Sequence, residues 1–305
     1  MLKHNMKKKI QMIKKIKYIV IAVSISFIYT QTTLQLLDQP MNANSIASFG
    51  ESVANKSKNI STNPASLSVD GVSIHMGSIQ FPVDINGNHL GITFPLHNYN
   101  IGISYSTINY GILEDSQTNN EFRAYENSLT INNSMVIRDW LSLGGKVEFV
   151  QAKIDCFSLT GFSTFFGFQS NVFSERLSIG YSFENAGKLV LHTGDIELLV
   201  NSQRFGISYQ LEHIPAKFSV DYKNRLDDFQ QIIGLIKWSP SDLLSFKFGI
   251  DSKVSDLSTG DYYSDIFAGL SLGISFDFNK LSTDIAIHNL GPAGNVYGAS
   301  LQFRL

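Results

Sequence analysis

The sequence predicts an all-β fold: an antiparallel transmembrane β-barrel of about fourteen strands, preceded by a short plug segment. Three observations carry that prediction. Apolar and polar residues alternate with a period of two over most of residues 72–305, the pattern of strands with two unlike faces. Charged residues make up only 16% of the chain while aromatics reach 12%, against roughly 25% charge in a soluble domain. The last forty residues alternate to the final Leu305, leaving an apolar strand that needs a partner, and pairing with the first strand would close a ring.

Residues 1–30 read as a secretory signal. Lys3, Lys7, Lys8, Lys9, Lys14, Lys15 and Lys17 precede an apolar run from Tyr18 to Tyr29, and no acidic residue occurs before Asp38. About twelve apolar residues is too short for a spanning helix, which needs roughly 20. Without those seven lysines the formal charge of −2 becomes −9, so the mature chain is acidic and a nucleic-acid partner is not expected.

Residues 31–71 are rich in Asn, Ser and Ala and carry no alternation. Ile46, Phe49, Val53 and Ile60 sit at helix-like spacings, and the segment is expected to fold as a periplasmic or plug element. A disordered linker is the competing reading.

The barrel is expected over 72–305. Its alternating segments run near 72–79, 89–95, 99–107, 123–137, 141–154, 157–169, 175–184, 202–212, 215–224, 228–238, 243–252, 265–278, 281–288 and 296–305. Asn86-Gly87-Asn88, Ser239-Pro240-Ser241-Asp242 and Asn279-Lys280 are turn signals between them. A four-residue pattern recurs at Gly91-Ile92-Thr93-Phe94, Gly102-Ile103-Ser104-Tyr105, Gly206-Ile207-Ser208-Tyr209 and Gly273-Ile274-Ser275-Phe276.

Fourteen strands enclose a bore too wide to be filled by their own side chains. The polar parity carries Lys146, Glu148, Arg204, Lys217, Asp221, Lys223, Asp277, Asp284 and Arg304. Ionised groups suit a wet lumen and would be ruinous in an oily core. The apolar parity is therefore expected to face outer-membrane lipid, with these nine residues lining the interior.

Catalytic, metal and cofactor signatures are absent. There is no H-E-x-x-H, P-loop, G-x-S-x-G or dinucleotide fingerprint, so no catalytic, cofactor-binding or metal-ligating residue is assigned and no enzyme is expected. Histidines at 4, 75, 89, 97, 192, 213 and 288 are scattered; His288, beside small hydroxyl residues, is the one candidate for a lipid-hydrolase site. Cys156 is the sole cysteine, expected as a buried or lipid-facing small hydrophobe.

Several stretches resemble the PorV/PorQ family of FadL-like outer-membrane barrels, and the PorQ branch in particular. Asn63-Pro64-Ala65-Ser66-Leu67 is similar to the family's N-P-A-x-L element ahead of the first strand, which marks Asn63, Pro64, Ala65 and Leu67 as a plug motif. Trp140 to Gly145, Leu177 to Gly187, Gln203 to Phe218, Ala268 to Gly273 and Gly291 to Gly294 follow the family's order along residues 60–305. The chain departs from the family at Ser48-Phe49-Gly50, where a G-x-G-G lead-in is usual, and at its Phe303-Arg304-Leu305 end.

The resemblance implies a bacterial outer-membrane location. It further implies a non-enzymatic part in type IX protein secretion, with other subunits of that system docking on loops 109–122, 188–202 and 253–264. The alternative it implies is a FadL-like passive channel for small hydrophobic molecules, the N-terminal segment serving as hatch.

Overall fold

The computed structural model describes residues 31, 32, 34–39, 41–114, 120–172, 176–226, 230–252 and 267–305. The expected signal segment and loop 253–264 lie outside the described residues. From Thr32 on, the chain forms one compact unit.

Fourteen strands form the wall. They are β1 (Ser73–Gln80), β2 (Asn86–Leu96), β3 (Tyr99–Glu114), β4 (Glu121–Arg138), β5 (Leu141–Ile154), β6 (Phe157–Val172), β7 (Leu177–Leu191), β8 (Ser202–Gln210), β9 (Ala216–Arg225), β10 (Gln230–Ser241), β11 (Leu244–Asp251), β12 (Leu270–Phe278), β13 (Leu281–Asn289) and β14 (Asn295–Arg304). Each pairs antiparallel with its neighbour in sequence. β14 pairs with β1 from Tyr297↔Gln80 to Arg304↔Ser73, which closes the ring and leaves no free edge. The wall is uneven in height: β3 to β7 have 14–18 residues each, β8 to β14 only 8–12.

The barrel is an inside-out globule. On β9, Val220 is 55% exposed on the outer face while the next residue, Asp221, is 1% exposed inside. Ile103, Leu129, Phe149, Ile207, Phe218, Leu272 and Phe303 all point outward, and Ser104, Ser128, Thr130, Ser208, Ser219, Ser271 and Ser300 are buried within. An apolar surface of this extent needs lipid as its solvent. No helix among the described residues is long and apolar enough to cross a membrane; the crossing is made by strands.

The two rims differ. At the rim where β1 starts and β14 ends, β2–β3, β4–β5, β10–β11 and β12–β13 are joined by two residues each. His97 and Asn279 take up left-handed φ of 56° and 60° in two of these turns. The opposite rim carries the longer connections, 81–85, 192–201, 252–269 and 290–294 among them. Short turns mark the periplasmic rim of such barrels and long loops the outer mouth.

Two of the three candidate docking loops are mostly wall. β3 runs to Glu114 and β4 starts at Glu121, and β7 continues to Leu191 with a short strand Ile196–Leu199 folded back on it. Cross-strand pairing extends both hairpins beyond where the hydrophobic alternation fades. Cys156 lies exposed in the two-residue turn between β5 and β6, outside both environments expected for it.

Inside the ring, residues 34–71 descend from the mouth to the start of β1. They include two single helical turns, α1 (Gln35–Asp38) and α2 (Ala43–Ile46), and a 3₁₀ turn at Pro64–Ser66. Glycines on the wall admit this segment. A Cβ on Gly102 would lie 2.6 Å from Ile60 Cγ1, one on Gly298 2.6 Å from Ile46 Cδ1, and one on Gly249 2.8 Å from the Phe49 ring. Gly144 and Gly167, cross-strand partners, lie against Pro64 and Asn63; Gly180 and Gly206, also partners, lie against Val53. In three of the four copies of the recurring pattern, at 102, 206 and 273, the glycine is thus a seat for the inner segment.

Candidate functional site

The inner segment is fastened at three places. At the first, the Asn63 side chain accepts from Ala65 N at 3.0 Å, capping the 3₁₀ turn, and donates to Val53 O at 2.7 Å and Phe168 O at 3.0 Å. Pro64 opens the turn, where its missing N–H costs nothing. Asn132 donates to Pro64 O at 3.3 Å, Ser134 to Ala65 O at 3.0 Å and Asn100 to Leu67 O at 3.1 Å. The N-P-A-x-L residues are therefore a clasp onto β3, β4 and β6, with Leu67 itself buried.

The second fastening is the buried pair Arg204–Asp221, 2.7 Å apart on β8 and β9. Arg204 also donates from Nη1 to Phe49 O at 3.0 Å and from Nη2 to Glu51 O at 2.9 Å. Asp221 accepts from Ser52 Oγ at 2.6 Å and Val53 N at 2.9 Å. Between these contacts Phe49, Gly50 and Glu51 hold φ of 50°, 89° and 62°. Two of the three are not glycine, so the turn is strained and persists because the ion pair over-determines it.

The third fastening lies nearer the mouth. Ala43 N donates to Ser300 Oγ at 2.7 Å, Ser271 Oγ donates to Ala47 O at 2.9 Å, and Leu36 N donates to Glu126 Oε2 at 2.9 Å.

The Glu51 side chain, at the end of the Phe49–Glu51 turn, accepts from Asn44 Nδ2 and is bonded to Ser57. Burial pushes its carboxyl above the ordinary value of 4.5, with the Lys247 charge opposing less strongly.

Above the segment, toward the mouth, is a cavity of about 620 Å³. Leu34, Leu36, Met41, Ile46 and Phe49 line it from the inner segment, and Phe81, Phe165, Ile233 and Val296 from the wall and its loops. Two apolar clusters, Leu36–Met41–Ile46 with Ile79, Ile108 and Val296, and Leu34 with Val150, Leu189 and Leu199, make the upper interior greasy. Polar groups nonetheless reach the upper wall as well, at Glu126, Arg225, Gln231 and Asp251.

Four of the nine polar wall residues named from the sequence, Lys146, Glu148, Arg204 and Lys223, line this cavity. Lys146 lies 3.8 Å from Glu148 and 3.6 Å from the Phe165 ring centroid. Lys223 lies 3.6 Å from Glu184. Asp221 sits behind Arg204. Lys217, Asp277, Asp284 and Arg304 lie lower, toward the periplasmic rim, where Arg304 bonds Asp277 at 2.6 Å across β13. The nine do not form one site.

Glu126, Glu184, Arg225 and Asp251 were not singled out from the sequence. Parity on β4 places Glu126 inward, in step with Ser128 and Thr130. Glu184 is less legible, because a bulge shifts the β6–β7 register between Thr164 and Phe166 and Asn185 takes a φ of 61°. His288 is engaged by Leu270 O at 3.2 Å and the Phe49 ring at 4.8 Å, and no serine among the described residues is bonded to it.

No family model and no curated protein matches the sequence. Solved structures match the fold. The Pseudomonas putida toluene transporter TodX aligns at a TM-score of 0.61 and 12% identity, over 88% of this chain and 99% of TodX. The Ralstonia pickettii toluene transporter TbuX aligns at 0.58 and 12%, over 89% and 100%. A Pseudomonas aeruginosa FadL homologue aligns at 0.54 and 11%, over 88% and 99%. At such identity the likeness is one of fold, and it is to FadL-like barrels in general, with nothing that singles out the PorV/PorQ branch. A closed ring of fourteen strands, apolar outside and plugged within, is the architecture of a FadL-like barrel of the bacterial outer membrane.

Proposed function

We propose that the protein is a passive outer-membrane channel for small, mainly apolar molecules, with residues 34–71 as its plug. The observation that carries this reading is the amphipathic cavity between the wall and the inner segment, more than half of whose apolar lining residues belong to that segment. A solute held there touches the element that blocks its way, so occupancy and plug position are coupled. The proteins of like fold include two described as toluene transporters, which is consistent with such cargo. The reading in which loops dock type IX secretion subunits draws no comparable support, since two of its three candidate loops are largely strand.

The test is equilibrium binding of small aromatic and aliphatic probes to the folded, detergent-solubilised barrel, paired with uptake into liposomes containing it. Binding at micromolar probe that drops when Leu36 and Met41 are both changed to Asn is the expected result. Uptake indistinguishable from empty liposomes would end the proposal.

A further inference from the structure

Every strongly buried cation of the upper and middle lumen that the preceding sections describe has a carboxylate within 4 Å: Arg204 with Asp221, Lys223 with Glu184, Lys146 with Glu148. Lower on the wall stand three lysines without such a partner. Lys217, Lys237 and Lys247 are successive cross-strand partners on β9, β10 and β11. All three stand on the inward parity, in step with the buried Ser219 and Leu235; Lys247 is buried, Lys217 half-buried and Lys237 exposed. Directly opposed like charges destabilise a sheet, and none of the three makes an ion pair within 4 Å among the described residues.

The surroundings compensate the row unevenly. The charges acting on Lys217 are Lys237 and Lys56, both positive, and Lys56 is exposed on the plug's underside. Lys247 is attracted by Asp284, which outweighs the repulsion of Lys237, and more weakly by Glu51, so Lys217 and Lys237 are the less compensated part of the row. None of the three lysines lines the upper cavity. The row lies in the periplasmic halves of its strands, and Lys56 of the plug is near enough for its charge to act on Lys217.

We infer that Lys217, Lys237 and Lys247, with Lys56 of the plug, form a binding site for a small oxyanion, a phosphate or carboxylate group, reached from the periplasmic rim. Ammonium groups at adjacent strand positions present convergent donors to an anion that spans two or three of them. Such an anion also bridges plug and wall, since Lys56 belongs to one and the row to the other. The group can arrive as a free anion or as the head of an amphiphile.

The experiment uses the full mature chain folded in a non-ionic detergent, titrated with pyrophosphate or with dodecanoate against chloride at matched ionic strength. Calorimetric affinity and thermal midpoint are read together. Wild-type protein is expected to bind at least one of the two probes and to gain thermal stability from it. Lys237→Gln and Lys217→Gln should each weaken that binding at least tenfold, while Lys153→Gln, at the opposite rim, leaves it unchanged. Without anion, Lys237→Gln should melt no lower than wild type, because it relieves repulsion; that result also certifies its fold. Pyrophosphate dependence identifies a free anion, and dependence on dodecanoate alone identifies a head group. Affinities unchanged by both lysine variants, or no binding of either probe, would overturn the site. Neither outcome touches the channel reading, since the cavity shares no residue with the row.

Discussion

At the scale of single residues, Arg204 and Asp221 hold the most consequential contact. Arg204→Ala leaves a buried carboxylate uncompensated and frees two carbonyls of a strained turn, a loss of about 3–5 kcal/mol. The loss is expected in the plug and not in the wall. Hydrogen exchange over residues 45–55 should speed up in the variant while the barrel keeps its resistance to unfolding in cold detergent. Arg204→Met with Asp221→Leu should cost less than either single change, because no charge is stranded. Glu51 gives the turn a pH dependence. Its carboxyl value is raised on folding, so its burial costs nothing below the ordinary 4.5 and costs progressively more as pH rises through the folded value. Thermal midpoints of wild type and Glu51→Gln should coincide near pH ~4 and separate in favour of the variant at higher pH. Midpoints that run parallel across the range would contradict this.

At the scale of elements, the wall was largely legible. Each of the fourteen alternating segments corresponds to one strand, because a lipid-facing parity and a lumen-facing parity impose opposite chemistry on successive residues. What escaped was whatever pairing or packing decides over pattern. The tops of β3 and β7 carry mixed residues, Tyr110 to Glu114 and Lys188 to Leu191, held in strand by their hairpin partners. The inner segment was recognisable as something other than strand, yet its path was hidden, since it is fixed by wall glycines and single side chains far off in sequence such as Ser300 and Asp221. The nine polar positions were chosen by parity, which does not tell the height a residue occupies: Arg204 and Asp221 sit at the latch, Lys146, Glu148 and Lys223 at the cavity, and Lys217, Asp277, Asp284 and Arg304 lower.

One element invites a direct experiment. β7 pairs with its successor at Lys188↔Leu198 and again at Glu184↔Ser202, and the ladder lapses over the three residues between. The common register sets Ala186 opposite Val200. With Cys156 replaced by Ser, the pair Ala186→Cys and Val200→Cys should form a disulfide under oxidation. If solute leaves the barrel sideways through this lapse, oxidation should stop uptake and reduction restore it; undiminished uptake in the locked protein would place the exit elsewhere.

At the scale of the whole molecule, stability rests on matching an apolar exterior to lipid. Val220 sits near mid-strand on β9 and points outward, so Val220→Arg should cost about 2–4 kcal/mol, measured by denaturant unfolding in bilayers. The same change in detergent should cost less, since a micelle deforms around a charge more easily.

The inner segment leads straight into β1, the strand on which β14 completes the ring. Backbone lying on glycine leaves no clearance for a chain to be threaded through afterwards. The occupant must then be in place before the seam is sewn, and the cylinder is wound about it as about a mandrel. Assembly has a compulsory order, and a variant too bulky at Ala43 or Val53 would fail by never joining its first strand to its last, however sound each strand is on its own.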